Sequence, residues 1–384
     1  MQAEGAESLS RAVEDRGNWM KIVHVVDSMD VGGAEILVSQ MCRLQRNQGH
    51  DPCVYAVSTL GELGEQMRTE GFTVQPHVGG GRSDASRNFL RVFRRLQPDI
   101  VHLHNPTPTI FAGPAARMAG VPSIVSTRHS LVAPPRKLVM ELKYGIAARF
   151  CDWIVGICDA TTNNLKDVHG SVARKIVRVY NGAVPLSRAA NEQWPPKDGF
   201  TLVFVGRLEP IKNHTLLFRS LQGALSSTPT LRLWMVGDGS ERPRLERLAT
   251  ELGIAAQVTF WGQQVDVAPF LSAADAFVMS STSEGLPISL LQAFSLGLPS
   301  IVTDVGGMAE VVRSTKAGYT VSVTDPAEMA AAMVRMESNE AERREFSANA
   351  QSMFHSRFTV DTMVEAYMQL YENTARARRA AKAQ

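Results

Sequence analysis

The residues best suited to chemistry are two cations and a carboxylate, all in glycine-bearing loops. Arg207 and Lys212 lie in the run Val205-Gly206-Arg207-Leu208-Glu209-Pro210-Ile211-Lys212-Asn213, directly after an apolar stretch that reads as a strand. Cations at the carboxyl end of a strand suit a diphosphate, arginine as a planar fork and lysine as a point charge. A solvated charged loop is the plain alternative. Glu284 precedes Gly285, Leu286, Pro287 and Ile288, where a glycine turn leads into a helix with proline in its first turn. Free N–H groups there can meet a phosphate while Glu284 accepts hydrogen bonds from sugar hydroxyls. Glu284 could equally be a helix cap. Gln292 lies about two turns beyond Glu284 on nearly the same face, or else is an ordinary polar surface residue.

Other loops carry weaker signals. Gly32 and Gly33 sit between the first strand and the first helix, where a ligand can approach the backbone, or where the chain only turns tightly. Gly237 and Gly239 in Val236-Gly237-Asp238-Gly239-Ser240 follow another strand, and a plain turn explains them as well as a nucleotide does. His104-Asn105 and Arg128-His129 each end a strand. A lone histidine is usually incidental, but two at strand carboxyl ends point to a site.

These loops need a scaffold that brings strand ends together. Short Val- and Ile-rich runs alternate with helix-period segments, which predicts doubly wound parallel sheets. The first set of strands is Lys21–Asp27, Pro52–Val57, Thr73–Pro76, Ile100–Leu103, Ser123–Thr127, Trp153–Gly156 and Ile176–Tyr180. Residues 181–200, with Pro185, Pro195 and Pro196, break the rhythm as a linker. The second set is Leu202–Val205, Leu231–Val236, Val258–Trp261, Ala276–Met279, Ser300–Thr303 and Tyr319–Val321. The expected division is a polar tail at 1–19, a first domain at 20–185, a second at 186–357, and a helix with a basic tail at 358–384. Two such sheets should face each other across a cleft, with ligands beyond their strand carboxyl ends.

Composition excludes other classes. Hydrophobic residues make up 44% and charged residues 20%, so disorder and fibrous structure are ruled out. A formal net charge of +2 gives no case for nucleic acid as a partner. Cys42, Cys53, Cys151 and Cys158 show no metal-site spacing and read as reduced thiols of a cytoplasmic protein. Residues 1–19 do not read as a signal peptide, and no apolar run is long enough to span a membrane. Charge is unevenly spread: residues 82–149 hold 11 basic and 3 acidic side chains, net +8. That basic stretch, with Leu131, Val132, Pro134 and Pro135 beside it, suits either plain solvent or an anionic membrane surface.

Taken together, the Gly32–Gly33 loop, Gly206-Arg207 with Lys212, Val236-Gly237-Asp238-Gly239, Val258-Thr259-Phe260-Trp261-Gly262, Glu284 with Gly297-Leu298-Pro299, and Asp304-Val305-Gly306-Gly307 resemble the retaining glycosyltransferases of family 4. The resemblance covers roughly residues 20–375. It implies the GT-B fold, two Rossmann-like domains with a C-terminal helix crossing back to the first. It implies a nucleotide-sugar donor and a glycan or lipid-linked acceptor in polysaccharide or glycoconjugate synthesis; with the basic stretch, the expected location is cytoplasmic with reversible contact to the cytoplasmic face of the membrane. On that likeness Arg207 and Lys212 hold the diphosphate and Glu284 the donor sugar. Gly206, Gly237, Gly285, Leu286 and Ile288 cradle donor groups, as do Gly32 and Gly33. Gly262 and Gln263 flank the base, left open among uridine, guanosine and adenosine with a UDP-sugar favoured. Gln292 stands where the family usually has a second glutamate that binds ribose. His129 joins Glu284, Arg207 and Lys212 as catalytic, while His104, Asn105 and Arg128 serve the acceptor.

The chain has no Asp-x-Asp, so the cations are expected to replace a metal and no cofactor is expected. A sugar-nucleotide epimerase of the same shape and a non-catalytic sugar-nucleotide-binding subunit remain the alternatives. An oxidoreductase is disfavoured because no strand leads into G-x-G-x-x-G.

Overall fold

The computed structural model describes residues 19–76, 84–132, 138–187 and 197–383, with side chains through Thr374. Most of the polar tail, Arg82, Arg136, Lys137, Pro134, Pro135, the prolines of the 188–196 stretch and the terminal basic side chains lie outside them.

Among the described residues thirteen strands form two sheets. The first set is β1 (Lys21–Val26), β2 (Asp51–Ala56), β3 (Thr73–Pro76), β4 (Ile100–His104), β5 (Ser123–Arg128), β6 (Trp153–Gly156) and β7 (Ile176–Arg178). The second is β8 (Phe200–Val205), β9 (Leu231–Val236), β10 (Val258–Gly262), β11 (Ala276–Met279), β12 (Ser300–Thr303) and β13 (Gly318–Val321). The orders are β3-β2-β1-β4-β5-β6-β7 and β10-β9-β8-β11-β12-β13. All thirteen expected strands are present, because strands apolar on both faces can only be buried between helices.

The chain divides into two compact units, one of residues 1–127, 137–154 and 366–384, the other of 128–136 and 155–365. The last helix, Val360–Ala383, contributes to both. In the second unit the Val360 N–H donates to the Ala183 carbonyl at 3.0 Å. In the first, Tyr367 and Tyr371 are fully buried. All four cysteines are buried thiols. Among the described residues no helix is long and apolar enough to cross a membrane.

Each sheet reverses direction once. In the first, β1 and β4 are neighbours whose connections run to opposite sides; in the second, β8 and β11 are. Loops diverge at such a point and leave an opening at the strand ends.

The interior beneath the first opening is polar. Parallel pairing sets His24 of β1 beside His102 of β4, and His104 follows two residues on, on the same face. His24 Nε2 donates to Gln45 Oε1 at 2.9 Å, so His24 Nδ1 accepts from His104 Nε2 at 3.0 Å. His102 meets the Tyr371 hydroxyl at 2.6 Å through Nδ1 and the Thr127 hydroxyl at 2.7 Å through Nε2. Thr127 also bonds the Tyr367 hydroxyl at 3.0 Å. Burial lowers the His24 pKa from 6.5 to about 4, so His24 is neutral at physiological pH.

This sets a pH dependence. Between about pH 6.5 and 4 the unfolded chain protonates His24 and the folded chain does not, so stability is full above that window and falls as pH drops through it. The loss approaches about 1.4 kcal/mol per pH unit for one histidine. The melting temperature of wild type should therefore fall more steeply from pH 6.5 to 4 than that of His24→Gln. Parallel curves would remove His24 as the cause.

Candidate functional site

The second sheet places the predicted loops at the carboxyl ends of β8, β9, β10, β11 and β12. After β8 the chain runs through Gly206 and Arg207 into a short turn, Pro210–Lys212. After β11 it runs through Ser280 and Ser281 to Glu284. These two loops leave the reversal point in opposite directions, and an ion pair between Lys212 Nζ and Glu284 Oε1 spans them. Both side chains are only 16% exposed. The Ser281 hydroxyl donates to the same carboxylate oxygen at 3.0 Å, and the Ser280 hydroxyl to the Lys212 carbonyl at 2.8 Å. Backbone joins the loops as well, with the Thr282 N–H on the Ile211 carbonyl at 2.8 Å. Arg207 is exposed beside them.

The flanking glycines interlock. Gly206 N–H donates to the Val236 carbonyl at 3.0 Å, and Gly237 N–H to the Gly262 carbonyl at 2.8 Å. A Cβ at Gly237 would overlap the Gly206 carbonyl oxygen. Asp238 is held below the usual carboxylate range by the Gly239 N–H and by Arg242. Gln263 is exposed past Gly262, and the Trp261 indole N–H is buried with no partner among the described residues.

Helix Ile288–Ser295 begins after the Glu284–Gly285 turn, with Pro287 in the extended region at its N-cap. Leu286 is buried, and its carbonyl accepts from the Asn181 amide at 3.0 Å. Gln292 is half-buried, one turn into the helix from Ile288. A Cβ on Gly285 would come within 2.6 Å of the His129 carbonyl oxygen, so His129 backbone packs on this turn. The His129 side chain is half-buried, and its loss of water contact lowers its pKa from 6.5 to about 4. His129 is thus a neutral imidazole, able to exchange hydrogen bonds but carrying no charge. Arg128 is buried at the end of β5.

The run from Asp304 through Gly306-Gly307 to Glu310 stood out in the sequence, but not that it supports this turn. The Gly307 N–H donates to the Gly285 carbonyl at 2.7 Å. Gly306 has φ +55°, and a Cβ there would overlap the Glu284 carbonyl oxygen. From the same helix, Gly306–Thr315, the Glu310 carboxylate accepts the N–H groups of Asp159 and Ala160 at 3.1 and 2.9 Å. The Tyr180 hydroxyl joins it at 2.8 Å. Glu310 therefore caps the helix Asp159–Val168 with a charge suited to its N-terminus. The signal was the Gly306-Gly307 pair with an acid one turn later.

Gly32, Gly33, His104 and Asn105 belong to the first unit, not the second. Gly32 is the N-cap of helix Gly33–Asn47, with the Glu35 carboxylate folded back beside it. Asn105 has φ +73° at the N-cap of Pro106–Met118, its N–H on the Thr127 carbonyl at 2.8 Å. His24, His102 and His104 offer ring nitrogens within 4.8 Å of one another, a spacing that could hold a metal ion. Hydrogen bonds already tie these rings to one another and to Gln45, Thr127 and Tyr371.

Two parallel-sheet Rossmann-like domains with loops converging at a reversal point define the GT-B fold. The family model "Glycosyltransferase Family 4" matches residues 31–185, and "Glycosyl transferases group 1" matches residues 188–353. The chain belongs to this family of glycosyltransferases, group 1 of family 4. It is 33% identical over 190 residues to the lipopolysaccharide core biosynthesis glycosyltransferase LpsD of Rhizobium meliloti, across 50% of this chain and 54% of that protein. The match thus spans about half the length of that relative. It is 28% identical to the D-inositol 3-phosphate glycosyltransferase of Acidothermus cellulolyticus, across 92% of this chain and 88% of that one. The Anabaena HepE structure in complex with UDP superimposes with a TM-score of 0.81 at 19% identity, covering 92% of this chain and 100% of HepE.

The Gly306 contact is testable. Gly306→Ala should lower the melting temperature, strain and overlap costing on the order of 2 kcal/mol. Gly120→Ala is the control, since Gly120 has φ +80° with nothing within 4 Å of a Cβ. Equal losses in both variants would mean that backbone strain, not the Glu284 contact, sets the cost.

Proposed function

We propose that this chain is a retaining, metal-independent transferase that moves a sugar from a nucleotide diphosphate to a hydroxyl of a glycan or lipid-linked glycan. The observation that carries this reading is the Lys212–Glu284 pair at the β8/β11 reversal point, with Arg207 on the same loop as Lys212. In this reading Arg207 and Lys212 offset the charge that gathers on the departing diphosphate. Electrostatic stabilisation of this kind is usually the largest single contribution in such chemistry. The N-terminal turn of Ile288–Ser295 adds N–H groups for the same anion.

Glu284 has two tasks here. It accepts hydrogen bonds from donor-sugar hydroxyls, and it keeps Lys212 oriented before the donor arrives. Neutral His129 beside the Gly285 turn holds a sugar hydroxyl without repelling or attracting the diphosphate. Gln292 supplies an amide to the ribose where a carboxylate is usual, and an amide still exchanges hydrogen bonds with hydroxyls. The leaving phosphate takes the acceptor proton, which fits retention without a second carboxylate. The names of the relatives, a lipopolysaccharide core transferase and an inositol phosphate transferase, support a hydroxyl acceptor in glycoconjugate synthesis. The UDP bound to HepE supports a uridine nucleotide. Acceptor contacts are assigned to Arg128 and to the β4 loop with His104 and Asn105, in a cytoplasmic enzyme.

Calorimetry with UDP, GDP and ADP in EDTA tests this directly. One nucleotide should bind wild type, and Arg207→Ala/Lys212→Ala should bind it at least about 100-fold more weakly, since each charge-assisted contact contributes about 1.5–3 kcal/mol. Binding that needs added divalent metal, or that survives the double substitution, would overturn the assignment.

A further inference from the structure

The helix Leu138–Ala148 of the first unit is inside out for a water-facing helix. Its buried side is Glu141, Tyr144, Ala147 and Ala148. Its outer side carries Leu138 at 71% exposure, Val139 at 67%, Leu142 at 67% and Ile146 at 52%, with Phe150 at 38% just beyond. Backbone bonds from Arg149 and Phe150 to the Ile146 and Ala147 carbonyls extend the last turn, so these residues continue the same face. At about 100° per residue the exposed apolar positions fall within one arc of about 120°. Isolated exposed leucines are ordinary, but five large apolar side chains on one arc are not.

Charge identifies the occupant. The remaining exposed side chains on this face are Lys143 and Arg149, and the helix's own acid, Glu141, is 8% exposed on the opposite side. Helix Pro106–Met118 packs against it and also against Ala85–Leu96, whose outward arginines are Arg87, Arg91, Arg94 and Arg95. A second copy on the same face would set Lys143 and Arg149 against their own equivalents, a like-charge contact that costs binding. An anionic lipid surface complements both parts, taking the apolar arc among the acyl chains and the basic stems at the headgroups. Eleven residues make a helix about 17 Å long, too short to span a bilayer but suited to lying in its interface.

We propose that the Leu138–Phe150 face docks this protein on anionic membranes, with Leu142 and Ile146 as the inserted anchors and Lys143 and Arg149 as the headgroup contacts. The proposal does not depend on the nucleotide site. An enzyme held there meets a lipid-linked acceptor on a surface rather than in bulk water.

Co-sedimentation of the full chain with phosphatidylcholine vesicles, with and without phosphatidylglycerol, tests it. Wild type should bind the anionic vesicles, and less so in high salt. L142E/I146E should bind them at least about tenfold more weakly, and K143E/R149E should lose the preference for phosphatidylglycerol. All four side chains are exposed, so melting temperatures and nucleotide calorimetry should match wild type, which separates this test from that of the donor site. Absence of vesicle binding by wild type, or undiminished binding by L142E/I146E, would overturn the proposal. So would a wild-type dimer that L142E/I146E dissolves without any vesicle affinity, which would make the face a contact between copies.

Discussion

A parallel sheet that reverses its winding leaves two neighbouring strands whose following loops part company, and the chemistry of the second unit rests on how that gap is closed. Lys212 comes from the loop after β8 and Glu284 from the loop after β11. Their ion pair, the serine hydroxyls beneath it and the Thr282–Ile211 backbone bond together fix two loops that connectivity alone would leave independent. A surface ion pair contributes little, because water screens it and long side chains resist being held. Here both side chains are mostly withdrawn from water and serine-buttressed, so the geometry is set before any ligand arrives. That is the condition for electrostatic stabilisation without reorganisation.

Behind the serines, the supports of this pair are backbone. Gly306 and Gly307 press against Glu284 and Gly285 from the next loop, and Gly206, Gly237 and Gly262 interlock on the other side. Side-chain variation therefore has little purchase on the floor of the site. Glu310 extends the same principle, since one carboxylate from the Gly306–Thr315 helix satisfies two orphan N–H groups of Asp159–Val168. The glycine loop and the helix it introduces thus hold the turn on one side and a second helix end on the other.

Much of this was legible in the sequence because its physics is local. Strands buried on both faces read as continuous apolar runs, as β8 and β11 do, while the partly buried β3, β10 and β13 were legible from their place in the alternation. Arg207, Lys212 and Glu284 stood out because each follows such a run within a glycine turn. Contacts between distant segments were not legible. Nothing about Gly306 in isolation says that its Cα lies against the Glu284 carbonyl. The interior histidines show the same limit. His104 read as a strand-end residue, and its hydrogen bond through Nε2 to His24, eighty residues away, could not be read from either position.

The helix Leu138–Ala148 shows a different limit. Its sequence has apolar residues around most of its circumference, so periodicity predicts a helix and says nothing about which side meets the sheet. The side that packs does so against Pro106–Met118, where a Cβ on Gly113 would stand 3.7 Å from the Ala147 carbonyl oxygen and 3.9 Å from the Cys151 thiol. Glu141 and the fully buried Tyr144 fill the rest of that side, and the leucines, valine and isoleucine lie outward. The apolar outer face follows from packing, but packing does not require it to be apolar; a helix held by its alanines could carry lysine and glutamate outside at no cost to the fold. Its large aliphatic side chains together with two basic ones therefore reflect what the face meets rather than what the core demands.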